Sequence, residues 1–199
     1  MTELTLTLTT MAHGGQAMGR DENGRSVFVP TAIPNETVRV QLIEEKRNFA
    51  RAELLEIIKP SPQRTVPECQ YFELCGGCHF QHMTYEAQLK TKQNVVIDQL
   101  TRLGKLRDVR VRPTLPNPTP WRYQYDVAFS PTEDGRLGFW APREKRVIPI
   151  DECPITAPHL LTILQDLDME LPGLRKMTAR LGEYDERLDA LEIDNVDPP

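Results

Sequence analysis

Pro67–His82 reads PECQYFELCGGCHFQH and holds three of the four cysteines of the chain, Cys69, Cys75 and Cys78; the fourth, Cys153, lies in the stretch DECPI. Three thiols within ten residues cannot pair into disulfides without leaving one over. The Gly76-Gly77 pair between Cys75 and Cys78 lets the backbone turn closely around a bulky group. The pattern reads as a metal site. A zinc ribbon usually offers two short knuckles of two cysteines each, whereas three clustered thiolates with a distant fourth suit an iron–sulfur cube ligated only by cysteine. Zinc and a metal-free set of buried thiols are the competing readings. Four cysteines already complete a ligand set, so His79 and His82 are expected to orient the loop or to hydrogen-bond a cluster sulfur.

Upstream of this stretch, Leu4, Leu6 and Leu8 alternate with threonine, the period-two pattern of a half-buried strand. His13–Arg20 reads as a loop, and Asn23-Gly24 makes a hairpin turn into a strand over Ser26–Val29. Val38–Ile43 alternates again and Ala50–Ile58 supplies another strand. Four or five short strands in under sixty residues, with no helix between them, predict a small antiparallel barrel of OB type. The tip Glu44–Arg51 carries Lys46, Arg47 and Arg51 for phosphate and Phe49 for a base; the competing reading is a solvated hairpin with Phe49 in the core. Lys59–Pro67 holds three prolines and reads as an extended linker.

Downstream, Thr84 caps a predicted helix that carries Tyr85, Leu89, Val96, Leu100 and Leu103 on an inward apolar face and closes at Gly104. Its polar side leads into Arg102, Lys105, Arg107, Arg110 and Arg112, five cations in eleven positions and a candidate phosphate-tracking surface. Tyr123–Phe129, Leu137–Trp140 and Arg146–Ile150 form a predicted meander that ends at Cys153. Thr156–Leu167 is predicted as an amphipathic helix with Pro158 in its first turn, and Leu174–Leu181 with Leu188–Ile193 as a hairpin across 183–186. Asp194–Pro199 shows no packing pattern.

Composition bounds these readings. The 199 residues are 39% hydrophobic, enough for one or two modest cores, and seventeen prolines against eleven glycines favour loops over long regular elements. A net charge of −5 hides an uneven spread, since residues 166–199 carry −6 and the first 165 carry +1. No secretory or membrane-spanning stretch is visible, and metal-poised thiols suit a reducing compartment, so a cytoplasmic location is expected.

The segments CQYFELCGGCHFQHMTYEAQLKTK, from Cys69, and WRYQYDVAFSPTEDGRLGFW with VIPIDECPI, from Trp121, resemble the iron–sulfur region of the RNA uracil-5-methyltransferases that carry an N-terminal TRAM domain. Among these they resemble in particular the bacterial 23S ribosomal RNA (uracil-5-)-methyltransferases. The resemblance implies that Cys69, Cys75, Cys78 and Cys153 bind a 4Fe-4S cluster and that the barrel is a TRAM domain, which binds RNA. In that family Pro-Gly-Glu often stands where this chain has Pro34-Asn35-Glu36, and Asn tolerates the same positive φ.

The implied architecture is α+β and β-rich: a TRAM/OB barrel over residues 1–59, a linker and cysteine loop over 60–84, and a central α+β domain over 85–199 that carries the fourth cluster ligand. The implied reaction needs a thiolate that adds to C6 of uracil, S-adenosylmethionine as methyl donor and a glutamate base. No position here matches those motifs, so the cofactor and the catalytic residues are expected in a C-terminal domain outside this chain. The chain is then the N-terminal portion of such an enzyme and inactive alone, a monomer that binds 23S ribosomal RNA and neither DNA nor membrane. An iron–sulfur redox sensor and a zinc-stabilised binding module are the alternatives.

Overall fold

The computed structural model describes residues 2–162, 164, 173–182 and 187–193, and the chain divides into two units. The first comprises Met1–Pro67 and His79–Pro116, and the second Glu68–Cys78 and Asn117–Pro199.

In the first unit β1 (Glu3–Met11), β2 (Ala17–Arg20), β3 (Ser26–Val29), β4 (Thr37–Glu45) and β5 (Phe49–Lys59) close into a barrel in the order β1-β2-β3-β5-β4. The β-rich α+β class and the OB-type barrel are as the alternation predicts. Leu6 and Leu8 of β1, Val27 and Val29 of β3, and Val38, Val40 and Leu42 of β4 turn inward as the pleat requires. Each buried Val or Leu side chain contributes roughly 1.5–3 kcal/mol over an exposed one.

Two features depart from the expected all-antiparallel barrel. β3 and β5 run parallel, with Val27 opposite Ala50. Five strands around a closed ring cannot alternate in direction at every step, so at least one neighbouring pair must be parallel. The segment read as a loop also contains β2. Its Gly19 lies so close to β1 that a Cβ there would sit 2.6 Å from the Thr7 carbonyl oxygen and 2.8 Å from Leu6 Cδ1, so the glycine belongs to a strand.

Helix α1 (Tyr85–Asp98) starts where predicted, with the Thr84 hydroxyl accepting from the Ala87 N–H at 3.4 Å. It passes into a π-helical turn over Gln99–Leu103, ended by Gly104. The predicted apolar face is not buried. Only Ala87 and Thr91 are, while Val96 and Leu103 are 46% and 61% exposed. The helix therefore docks through its first turn, where Met83 and Ala87 join the barrel core.

In the second unit β6 (Asp126–Pro131), β7 (Leu137–Ala141), β8 (Arg146–Pro149), β9 (Leu174–Leu181) and β10 (Arg187–Ile193) form one sheet in the order β10-β9-β6-β7-β8. Phe129 and Phe139 stack at 5.3 Å over a core with Val127, Leu160 and Met177. The strand expected from Tyr123 begins only at Asp126, because Gln124 bridges Thr156 while Tyr123 and Tyr125 are exposed. The predicted meander and the pairing of β9 with β10 are both present. Helix α2 spans Pro158–Leu161, with proline in its first turn. The rest of the helix expected to Leu167, the turn at 183–186 and the tail 194–199 lie outside the described residues. Among the described residues no helix is long and apolar enough to cross a membrane.

Candidate metal centre and basic surfaces

All four cysteines belong to the second unit, and none of them forms a disulfide. The loop Glu68–Cys78 is wound by short turns: Phe72 N–H donates to the Cys69 carbonyl at 3.1 Å, and Cys75 N–H to the Tyr71 carbonyl at 2.8 Å. Long-range bonds fix it to the sheet. Gly76 N–H donates to the Trp140 carbonyl at 3.2 Å. A Cβ on Gly76 would lie 2.8 Å from Pro142 Cγ, so this glycine is needed for space. The Tyr71 hydroxyl donates to the Asp151 carboxylate at 3.1 Å and accepts from the Asp151 N–H at 3.2 Å. On the other side Arg122 Nη1 donates to the Cys153 carbonyl at 3.1 Å. Tyr71 is thus two residues from Cys69 and bonded two residues before Cys153.

Burial pushes the thiols of Cys69 and Cys75 up from their usual range. Neighbouring sulfurs add to this: Cys153 acts on both, and Cys69 acts on Cys75. Opposing it, backbone N–H groups point at sulfur, from Tyr71 and Phe72 toward Cys69 and from Gly77 toward Cys75 at 3.4 Å. Cys153 is 8% exposed within the core of this unit. Cys69, Cys75 and Cys153 therefore lie within electrostatic reach of one another, and Cys78 ends the same loop.

Among the described residues no three His, Cys, Asp or Glu side chains stand close enough to hold a single ion. A cube spreads four thiolates over four separate irons, which calls for a wider cradle than one ion does. A donor set of sulfur alone, with N–H donors aimed at Cys69 and Cys75, fits such a cube and fits an all-cysteine zinc site as well.

The two histidines fall in the first unit, and His82 does not serve as expected. It is 1% exposed and its Nε2 meets the Ala32 carbonyl oxygen at 3.4 Å, so it braces the barrel rather than a sulfur. Burial lowers its pKa to about 4, and the nearby Arg64 guanidinium acts in the same direction. Beside it stands a buried hub that the charge pattern did not reveal. Glu36, fully buried, accepts from Arg64 Nε at 2.5 Å, Arg64 Nη2 at 2.9 Å, Ile33 N–H at 2.9 Å and Ser61 N–H at 3.5 Å. Burial alone would raise this carboxyl, but Arg64 and the two N–H groups hold it below the usual carboxylate range. The preceding Asn35 adopts φ +68°, as the turn reading requires. Through Arg64 the hub anchors the linker to the barrel.

The basic residues divide into two kinds. At the barrel tip Lys46 and Arg51 each lie 3.5 Å from Glu44, and Arg25 is bonded at 2.9 Å to both Asp21 and Glu45. Phe49 is half-buried with its ring edge-on to Phe28 at 6.2 Å. Asn23, Gly24, Arg25, Glu45, Lys46, Arg47 and Asn48 line a cleft of ≈ 580 Å³ there. Beyond α1, Arg102 is held by Asp98 at 2.9 Å. Lys105, Arg107, Arg110 and Arg112 are exposed, and among the described residues none has a carboxylate partner.

Residues 2–55 match the family described as the TRAM domain. An uncharacterized RNA methyltransferase of Synechocystis sp. is 35% identical, over 89% of this chain and 42% of that protein. The 23S rRNA (uracil(1939)-C(5))-methyltransferase RlmD of Shewanella sediminis is 34% identical, over 97% of this chain and 43% of that one. The crystal structure of Pyrococcus abyssi tRNA (uracil-54, C5)-methyltransferase in complex with S-adenosyl-L-homocysteine superposes with a TM-score of 0.62 at 22% identity, over 98% of this chain and 47% of that one, a likeness of fold. The chain spans less than half the length of these relatives. It carries a TRAM domain, and over most of its length it is similar to proteins named RNA methyltransferases.

Proposed function

We propose that this chain is the RNA-binding and 4Fe-4S-binding portion of a cytoplasmic RNA (uracil-5-)-methyltransferase that makes 5-methyluridine in 23S ribosomal RNA. The observation that carries the reading is the gathering of four cysteines without a disulfide, 75 residues apart at their widest gap, into one unit of a chain that also holds a TRAM barrel. Cys69, Cys75, Cys78 and Cys153 hold the cluster. It crosslinks the loop to the segment after β8.

S-adenosylmethionine, bound outside residues 1–199, supplies the methyl group. The nucleophile is not among residues 1–199 in this reading, because every thiol of this chain is assigned to the cluster. The present residues grip RNA: the barrel tip through Lys46, Arg47, Phe49 and Arg51, and the segment after α1 through Arg102, Lys105, Arg107, Arg110 and Arg112. The chain acts as a monomer, and DNA is not among its partners.

Anaerobic reconstitution tests this. Residues 1–199 should take up about four irons and four sulfides per chain. Cys153→Ser should abolish that, and the loaded protein should bind a 23S rRNA fragment without methylating it. Zinc uptake with no visible iron–sulfur absorption would overturn the cluster assignment, and methyl transfer by residues 1–199 would overturn the placement of the chemistry.

A further inference from the structure

The two basic surfaces are unequal, and the inequality assigns different work to each. Resting on the RNA-binding reading above, we infer that the strap Lys105–Arg112 is the principal phosphate-binding surface of this chain and that the barrel tip adds little to its electrostatic affinity.

The tip carries four cations, Arg25, Lys46, Arg47 and Arg51, against three carboxylates, Asp21, Glu44 and Glu45. Three of those cations are already within ion-pair distance of a carboxylate. A paired cation must surrender its partner before it meets a phosphate, so the net gain is small and few counterions are released. The strap carries Lys105, Arg107, Arg110 and Arg112 against the single carboxylate Asp108.

The strap is also held in shape. Leu106 N–H donates to the Leu100 carbonyl at 3.1 Å, Gln93 Nε2 to the Val111 carbonyl at 3.0 Å, and the Thr114 hydroxyl to the Leu89 carbonyl at 3.0 Å. Lys105 and Asp108 adopt positive φ, which bends the chain back along the helix. Val109 and Val111 are half-buried while Arg110 and Arg112 are exposed, so the two arginines alternate outward from a backbone clamped to α1. Such a row of cations, without a carboxylate partner among the described residues, on an ordered backbone reads charge and spacing, not base identity.

The test compares Lys105→Gln/Arg107→Gln/Arg110→Gln/Arg112→Gln with Lys46→Gln/Arg47→Gln/Arg51→Gln, both in the full chain, by anisotropy on a labelled 23S rRNA hairpin from 50 to 200 mM salt. All seven side chains are exposed, so a far-ultraviolet dichroism melt should match wild type for both. The strap variant should flatten the slope of log Kd against log salt by about 3–4, equivalent to a roughly 100-fold smaller affinity loss over that salt range; the tip variant should change it by less than about 1. A scrambled hairpin should show the same pattern. A slope that falls in the tip variant and stays put in the strap variant overturns the inference and leaves the RNA-binding reading standing. Wild-type protein that binds neither hairpin overturns both.

Discussion

Removing Arg64 isolates what the buried hub contributes. Arg64→Met keeps much of the aliphatic stem but takes two hydrogen bonds, at 2.5 and 2.9 Å, from a carboxylate with no access to water, and a third at 2.9 Å from the Thr31 carbonyl. The Ile33 and Ser61 N–H groups, at 2.9 and 3.5 Å, cannot neutralise the charge left behind. Stripping one partner from a buried pair costs about 3–5 kcal/mol, a large share of the 5–15 kcal/mol typical of a domain. Urea denaturation at pH 7 should show the midpoint falling by that amount at unchanged m-value, with amide protection lost first over Ser61–Thr65. Glu36→Gln/Arg64→Met should recover part of the loss, because a neutral side chain tolerates burial while the Thr31 carbonyl stays unpaired. A loss under about 1 kcal/mol for the single variant, or no recovery in the double, would refute this account.

The same hub sets an acid limit. His82 has its pKa lowered from 6.5 to about 4, so the folded state binds fewer protons than the unfolded one. Its stabilisation is full above the unfolded value and is lost as pH falls toward 4, about 3 kcal/mol in all. Glu36, also lowered, acts in the same direction below its ordinary range. Stability measured from pH 7 to 4.5 should decline, and His82→Gln should flatten the decline above pH 5. Tyr71→Phe deletes both bonds to Asp151 and should cost about 1 kcal/mol, read as roughly five-fold faster iron loss to a chelator; equal rates would show that the hydroxyl is idle. Gly138→Ala would set a Cβ 1.8 Å from the Ile148 carbonyl oxygen, so β7 and β8 must part, at about 3 kcal/mol or more by thermal melting. Removing iron from reconstituted protein should lower the melting of the second unit and spare barrel amide protection, because no residue of 68–78 enters the barrel core.

Local patterns carried much of this fold into view. The alternation of Leu4, Leu6 and Leu8 and of Val38, Val40 and Leu42 reads directly as barrel strands, and Thr84 as a helix cap, because each depends on neighbours within a few residues. Readings failed where a distant element decides. Within Ala17–Arg20 the strand character of Gly19 is explained only by the three-dimensional approach of Thr7 on β1, which leaves no room for a side chain. The apolar residues of α1 have helical spacing, but only Ala87 and Thr91 of this helix are buried, and no period in the sequence states how far a contact extends.

The cysteine loop shows the same division at the level of the site. Its spacing is the ground for the proposed shared ligand, since thiols so close in sequence have few other uses. The rest of its surroundings could not be read, because the partners of Tyr71 and Gly76 lie 80 and 64 residues away in the chain. Those bonds have a consequence for assembly. The loop leaves the first unit after Pro67 and returns at His79, and its base is closed there by the Arg64–Met83 bridge and by Thr65 N–H on the His82 carbonyl at 3.0 Å. A long excursion closed at its base, and already bonded to Asp151 and Trp140 at its far end, has met its chain-closure entropy before any thiolate is ligated. Under the proposed function the cysteines would need to bind only an inorganic core, not to organise the polypeptide around it, and the metal would reinforce a cradle that protein hydrogen bonds have built.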